Sequence, residues 1–117
     1  MKKYAMYIGR WQNWHKGHEW LINQQLQKGK YVWVAIRDVP EDENNPKSAF
    51  KVMMDLMEEP FFQKNIDKIL LSIIPDIESV NYGRGVGYDV RTKLNLVLFL
   101  YSFSYPLRNN LCSDIRL

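Results

Sequence analysis

His15 and His18 are the only histidines in a chain of 117 residues, and they stand three positions apart in His15-Lys16-Gly17-His18. An imidazole presents an N–H to an anion whether neutral or protonated, so two of them side by side can donate to phosphate oxygens. The pair follows an apolar run that ends in Gly9 and opens a stretch with helical periodicity. A helix N-terminus offers unpaired backbone N–H groups and a positive partial charge, and Gly17 lets the backbone come close to a ligand. Taken without that context, an HxxH spacing reads more simply as one histidine capping a helix while the other packs. The strand, glycine and helix around it favour the phosphate site. A metal site is the weaker reading, because two histidines with no close Asp, Glu or Cys leave a zinc set incomplete.

The elements that must hold these side chains can be read on either side of them. Tyr4 to Gly9 is a short apolar run and predicts a buried first strand, with Arg10 to His18 as the loop that follows. From Gly17 onward, Trp20, Leu21 and Leu26 fall among polar residues, which predicts an amphipathic helix closed by Gly29. Tyr31 to Arg37 is rich in β-branched and aromatic residues and predicts a second buried strand. A parallel crossover is almost always right-handed, so both strands should end at one edge of the sheet, where the ligand crevice of such folds lies. Glu41 to Pro46 reads as a charged turn. Ser48 to Glu59 reads as a second helix with Phe50, Val52, Met53, Leu56 and Met57 at helical spacing, and Pro60 is expected to end it. Ile69 to Ile74, stopped by Pro75 and Asp76, predicts a third parallel strand. Asp76 to Tyr88 is a loop with three glycines, and Leu94 to Tyr105 reads as either a buried helix or a strand pair.

Other residues carry weaker signals. Arg37 and Asp38 form a strand end that is either solvated or turned to the ligand crevice. Trp11 and Trp14 can stack on a base, although packing is the simpler role for aromatic rings near a sheet edge. Gly83-x-Gly85-x-Gly87 has the wrong spacing and place for a dinucleotide loop and reads as a flexible loop, from which Arg84 can reach a substrate phosphate. Leu94 to Tyr105 is most simply core, with a homo-oligomer surface as the alternative.

The bulk composition bounds the function classes. With 46% hydrophobic and 25% charged residues, the chain has ordinary globular usage, and its length suits a single domain over 1–117. A net charge of +3 suits an anionic small molecule, while Lys and Arg are scattered rather than massed, which argues against nucleic acid as a partner. The single cysteine, Cys112, allows no internal disulfide, so a reducing cytoplasm is the expected compartment. No apolar segment approaches the roughly 20 residues of a membrane helix, so no membrane partner is expected.

The segment Gly9-Arg10-Trp11-Gln12-Asn13-Trp14-His15-Lys16-Gly17-His18 resembles the GRFQPFHxGH signature of the HxGH nucleotidyltransferase superfamily. Both glycines, Arg10, Gln12 and both histidines match, whereas Trp11 and Trp14 replace phenylalanines and Asn13 replaces a proline. Asn45-Pro46 is similar to an Asn-Pro that starts the second helix in several of these enzymes, although Lys51 and Val52 stand where acidic and arginine residues often follow. The resemblance implies an α/β fold, a three-layer Rossmann-like domain with a mainly parallel sheet of about 4–5 strands. It implies transfer of an adenylyl or cytidylyl group from a nucleoside triphosphate to a small phosphorylated acceptor, with pyrophosphate released and Mg²⁺ carried on the triphosphate. His15 and His18 would be the catalytic residues. Ile8, Gly9, Arg10, Lys16, Gly17, Arg37, Asn45, Arg84 and Arg116 would contact the nucleotide. The superfamily's Ile-Ser-Ser-Thr-x-x-Arg motif has only a distant echo in Leu111-Cys112-Ser113-Asp114-Ile115-Arg116, so 91–117 reads as divergent or truncated relative to the family, and Arg108 and Arg116 are the candidates to close over the triphosphate. A nucleotide-binding module that lost catalysis is the alternative. A relic of a class I aminoacyl-tRNA synthetase, whose HIGH motif sits in the same kind of fold, ranks last, because nothing like its KMSKS sequence is present.

Overall fold

A computed structural model describes residues 2–84 and Gly87. The expectations for Leu94 to Tyr105, Arg108, Cys112 and Arg116 lie outside the described residues.

The chain alternates strands and helices: β1 (Tyr4–Gly9), α1 (Lys16–Leu26), β2 (Tyr31–Asp38), α2 (Ala49–Glu58), α3 (Pro60–Lys64) and β3 (Ile69–Pro75). The three strands form one parallel sheet in the order β1-β2-β3. Tyr4 pairs with Tyr31 and Gly9 with Ile36, and Val32 pairs with Ile69 and Asp38 with Pro75. β1 and β2 therefore end side by side, and the loop that carries the histidines starts at that edge.

Side chains alternate across a strand, so the fully buried Val32, Val34 and Ile36 point to the same face of β2. They share one apolar core with Ile22 of α1, Val52 and Leu56 of α2, and Phe62 of α3. The helices thus cover one face of the sheet, as two crossovers of one hand between successive neighbouring strands require. Tyr7 fixes α1 on β1 by donating its hydroxyl to the Leu21 carbonyl at 2.9 Å. On the other face Tyr4, Met6 and Leu70 remain exposed, and Trp33 of β2 donates its indole N–H to Ser72 Oγ of β3 at 2.6 Å. The described residues make an α/β arrangement of two layers.

Several elements depart from expectation. β1 is not buried throughout: it is an outer strand of the described sheet, and only Ile8 and Gly9 at its end are buried. In α2 the stripe that meets the sheet is Ala49, Val52 and Leu56, with Met53 packed at its margin, while Phe50 and Met57 are exposed. These two side chains of the helical pattern face away from the core. Pro60 does end α2, yet it also occupies the first turn of α3, a helix the sequence pattern gave no cause to expect. Proline's fixed φ and missing N–H suit that position. Gly29 closes α1 as expected, with φ +76 and its N–H on the Leu26 carbonyl at 3.0 Å.

Candidate functional site

Between β1 and α1 the backbone turns sharply through two left-handed residues, Trp11 at φ 57 and Asn13 at φ 61. Asparagine tolerates that conformation, whereas a bulky aromatic residue rarely adopts it and does so at a cost of about 1–3 kcal/mol. Trp11 is held there by burial, at 1% exposure, and by donating its indole N–H to the Ala35 carbonyl of β2 at 2.9 Å. Gln12 ties the same loop to the segment before α2: its side-chain amide donates to the Lys47 carbonyl at 2.7 Å and accepts from the Lys47 N–H at 3.0 Å. These two anchors fix the approach to the histidines. In the sequence Gln12 stands out only as a match to the family signature, because its pairing partner lies 35 residues away, beyond the reach of a local pattern.

His15 is the N-cap of α1. Its Nδ1 accepts from the Gly17 N–H at 3.0 Å, and its carbonyl accepts from the N–H groups of His18 and Glu19. An accepting Nδ1 leaves the imidazole proton on Nε2. Gly17 is required for this geometry, because a Cβ there would sit 2.8 Å from His15 Cε1 and 2.9 Å from Nδ1. The helix therefore starts between the histidines, and the capping role that was the simpler alternative for one of them is filled by His15.

The His18 ring stacks on His15 with centroids 3.9 Å apart and planes at 23°. Trp11 meets it edge-on and Trp14 lies over it, each with its centroid at 5.2 Å. Trp14 in turn touches Phe62 at 5.0 Å and donates its indole N–H to Glu19 at 3.3 Å. Enclosed in this way, His18 is fully buried, and burial pushes its pKa down from 6.5 to about 3. At neutral pH it is an uncharged ring. Its contribution to an anion is then a directed N–H, until the anion itself raises the pKa.

The other expected contacts are spread around this edge of the sheet. Ile8 and Gly9 are buried at the end of β1, and Lys16 is exposed on the first turn of α1. Arg10 follows β1, with a buried Nε that has no hydrogen bond among the described residues. Its guanidinium is close enough to Asp42 and Asp76 to help hold both carboxyls below their usual range. For Asp42 the larger cause is the Asn45 N–H, and for Asp76 it is Arg37. Arg37, near the end of β2, is half-buried and ion-paired, its Nε and one terminal nitrogen donating to Asp76 at 3.0 and 2.7 Å, while Asp38 beside it is exposed. Asn45 is buried in the turn before α2, donating its backbone N–H to Asp42 at 2.7 Å, while its own Oδ1 has no hydrogen bond among the described residues. Arg84 is exposed in a turn beyond β3. The structure thus brings His15, Lys16, Gly17 and His18 together and sets Arg10 and Asn45 on the neighbouring loops.

A cleft of about 460 Å³ opens beside the histidines rather than over them, lined by Trp11, Asn13 and Trp14 of the loop and by residues of α2. Comparison of the chain with protein-family models, with curated proteins and with solved structures finds no match.

Proposed function

We propose that the chain is an HxGH-type nucleotidyltransferase, and that its His15–His18 turn takes the phosphates of a nucleoside triphosphate. The observation that carries the reading is the placement of both imidazoles at the N-terminus of α1, directly after a parallel strand. A helix start at the carboxyl edge of a parallel sheet gathers backbone N–H groups, a favourable dipole and side-chain donors around one point. The likeness of Gly9 to His18 to the GRFQPFHxGH signature supports the same reading. So does the buried Arg10 Nε, which would find an acceptor in a phosphate oxygen.

In this reading an acceptor phosphate oxygen attacks the α-phosphorus, a new P–O bond forms, and the bond to the bridging oxygen of the β-phosphate breaks. Pyrophosphate leaves with the electron pair of that bond. Mg²⁺ enters as part of the triphosphate substrate. Protein groups have little covalent work to do in such a step; they align the partners and stabilise charge on the leaving phosphates. His18 offers a neutral N–H from a dry pocket, where a hydrogen bond to an anion is stronger than in water. His15 offers Nε2–H from the cap position, and Arg10 and Lys16 add positive charge nearby. Removal of one such donor costs about 3 kcal/mol of barrier, roughly a hundredfold in rate. The full proposal includes a third layer and a sheet of about 4–5 strands, a Rossmann-like domain, working in the cytoplasm.

The enclosure of His18 favours a second reading, a nucleotide-binding module without turnover. A fully buried ring wedged between two tryptophans reaches an incoming phosphate only if Trp14 or His15 moves. Pyrophosphate release decides between the two. The transferase reading expects release from ATP or CTP with some member of a panel of phosphorylated acceptors. Triphosphate binding with no release from any of them supports the module.

A further inference from the structure

The cleft between the Trp11–Trp14 segment and the junction of α2 with α3 has the volume of a small-molecule site, about 460 Å³. Neither His15 nor His18 lines it, nor does Arg10. Its chemistry is unlike that of the phosphate site. Val52 and Leu56, both buried, give it an apolar floor, and the Trp14 ring gives it an aromatic wall held in place by Phe61 and Phe62 at 6.0 and 5.0 Å. The one ammonium in the lining, Lys47, is bound to Asp55 at 2.8 Å, and Asp55 is also bound by Lys51 at 2.9 Å, so two ammonium groups share one carboxylate and leave one positive charge for neighbouring carboxylates to offset. Asp55 chiefly raises the Lys51 pKa, and Glu58 at the rim lies close enough to help. With Glu59 it outnumbers that remaining positive charge, and neither makes a direct ion pair among the described residues.

An aromatic face beside two such carboxylates repels an anion and attracts a cation whose charge is spread over carbon. An inorganic cation would find too few oxygens converging on one point, whereas an organic one also gains from the apolar floor. We infer that this cleft binds a small organic cation, of the quaternary ammonium or N-alkylpyridinium class, with its charged head between the Trp14 ring and the Glu58 and Glu59 carboxylates. The assignment does not rest on the proposed transferase activity, since neither histidine lines the cleft, but the two places share Trp14, which also covers His18.

The test is a titration of the full chain with N-methylpyridinium and tetramethylammonium chlorides, followed by the indole N–H resonance of Trp14, with tert-butanol as the neutral counterpart of tetramethylammonium and sodium chloride as the salt control. The expected result is a saturable shift with both cations, none with tert-butanol or sodium chloride, and affinity lowered about fivefold or more in the Glu58→Gln/Glu59→Gln double variant. A shift that never saturates, an equal response to tert-butanol in the unaltered protein, or full affinity in the double variant would each overturn the assignment.

Discussion

Gly17 and His15 are coupled closely enough for one methyl group to separate stability from ligand binding. A Cβ at position 17 would meet only the tip of the His15 imidazole, which can swing aside, so Gly17→Ala should cost the fold no more than about 1–2 kcal/mol, the worth of a lost cap. The same swing removes one of the two phosphate donors. Urea unfolding should therefore show a modest loss while triphosphate affinity falls by about tenfold or more. Equal affinity in Gly17→Ala would show that His15 does not need its capped position. His18 makes a second prediction through its depressed pKa. Because the folded state holds the ring neutral down to about pH 3 while the unfolded chain protonates it from 6.5, the unfolded state binds more protons in between. Stability should fall as pH drops below 6.5, by up to about 1.4 kcal/mol per unit. With only two histidines in the chain, His18→Gln should flatten most of that slope between pH 6.5 and 5 in urea titrations. At this scale the sequence announced the histidines through their spacing and the glycine between them. It could not announce the enclosure of His18, because Trp11 and Trp14 close over it only through the left-handed turn and the Ala35 and Glu19 hydrogen bonds.

Strands and helices were legible where periodicity and punctuation agreed. β2 carries an unbroken apolar run from Tyr31 to Ile36, and it is the central strand of the described sheet. α2 has both a stripe and a cap: Ser48 accepts from the Lys51 N–H at 3.1 Å. Ser48→Ala should lower stability by about 1 kcal/mol, read as a shift of the urea midpoint, with triphosphate affinity unchanged. Legibility failed where one pattern fits two structures. The spacing of Phe50, Val52, Met53, Leu56 and Met57 spans more than one face, and only the position of the sheet selects Val52 and Leu56 for the core. Pro60 ends one helix and starts another with the same ring geometry, and the sequence alone does not separate the two roles. Gln12 holds the histidine loop to the α2 approach through Lys47, and Gln12→Ala should cost about 1–2 kcal/mol by removing both hydrogen bonds to the half-buried Lys47 backbone. Triphosphate affinity should fall with it. An unchanged affinity at lowered stability would show that the loop keeps its shape without that clamp.

Across the molecule, the parallel order β1-β2-β3 brings the starts of three loops to one edge. The charge there is arranged in opposed pairs rather than as a bare positive field: Arg37 is held by Asp76, and Arg10 lies near both Asp42 and Asp76. An incoming triphosphate would meet cations already partly balanced, so the proposed reading rests on the α1 start with its two imidazoles. The central claim is that this turn binds triphosphate phosphates, and His15→Asn tests it most directly, since asparagine preserves the helix cap while removing the imidazole donor. The measurement is calorimetric titration of Mg-ATP and Mg-CTP into the unaltered protein and into His15→Asn, with thermal unfolding of both. The account predicts saturable binding of at least one triphosphate by the former and a loss of about tenfold or more in the variant at an unchanged melting temperature. No binding to the unaltered protein, or equal binding by both, would contradict it.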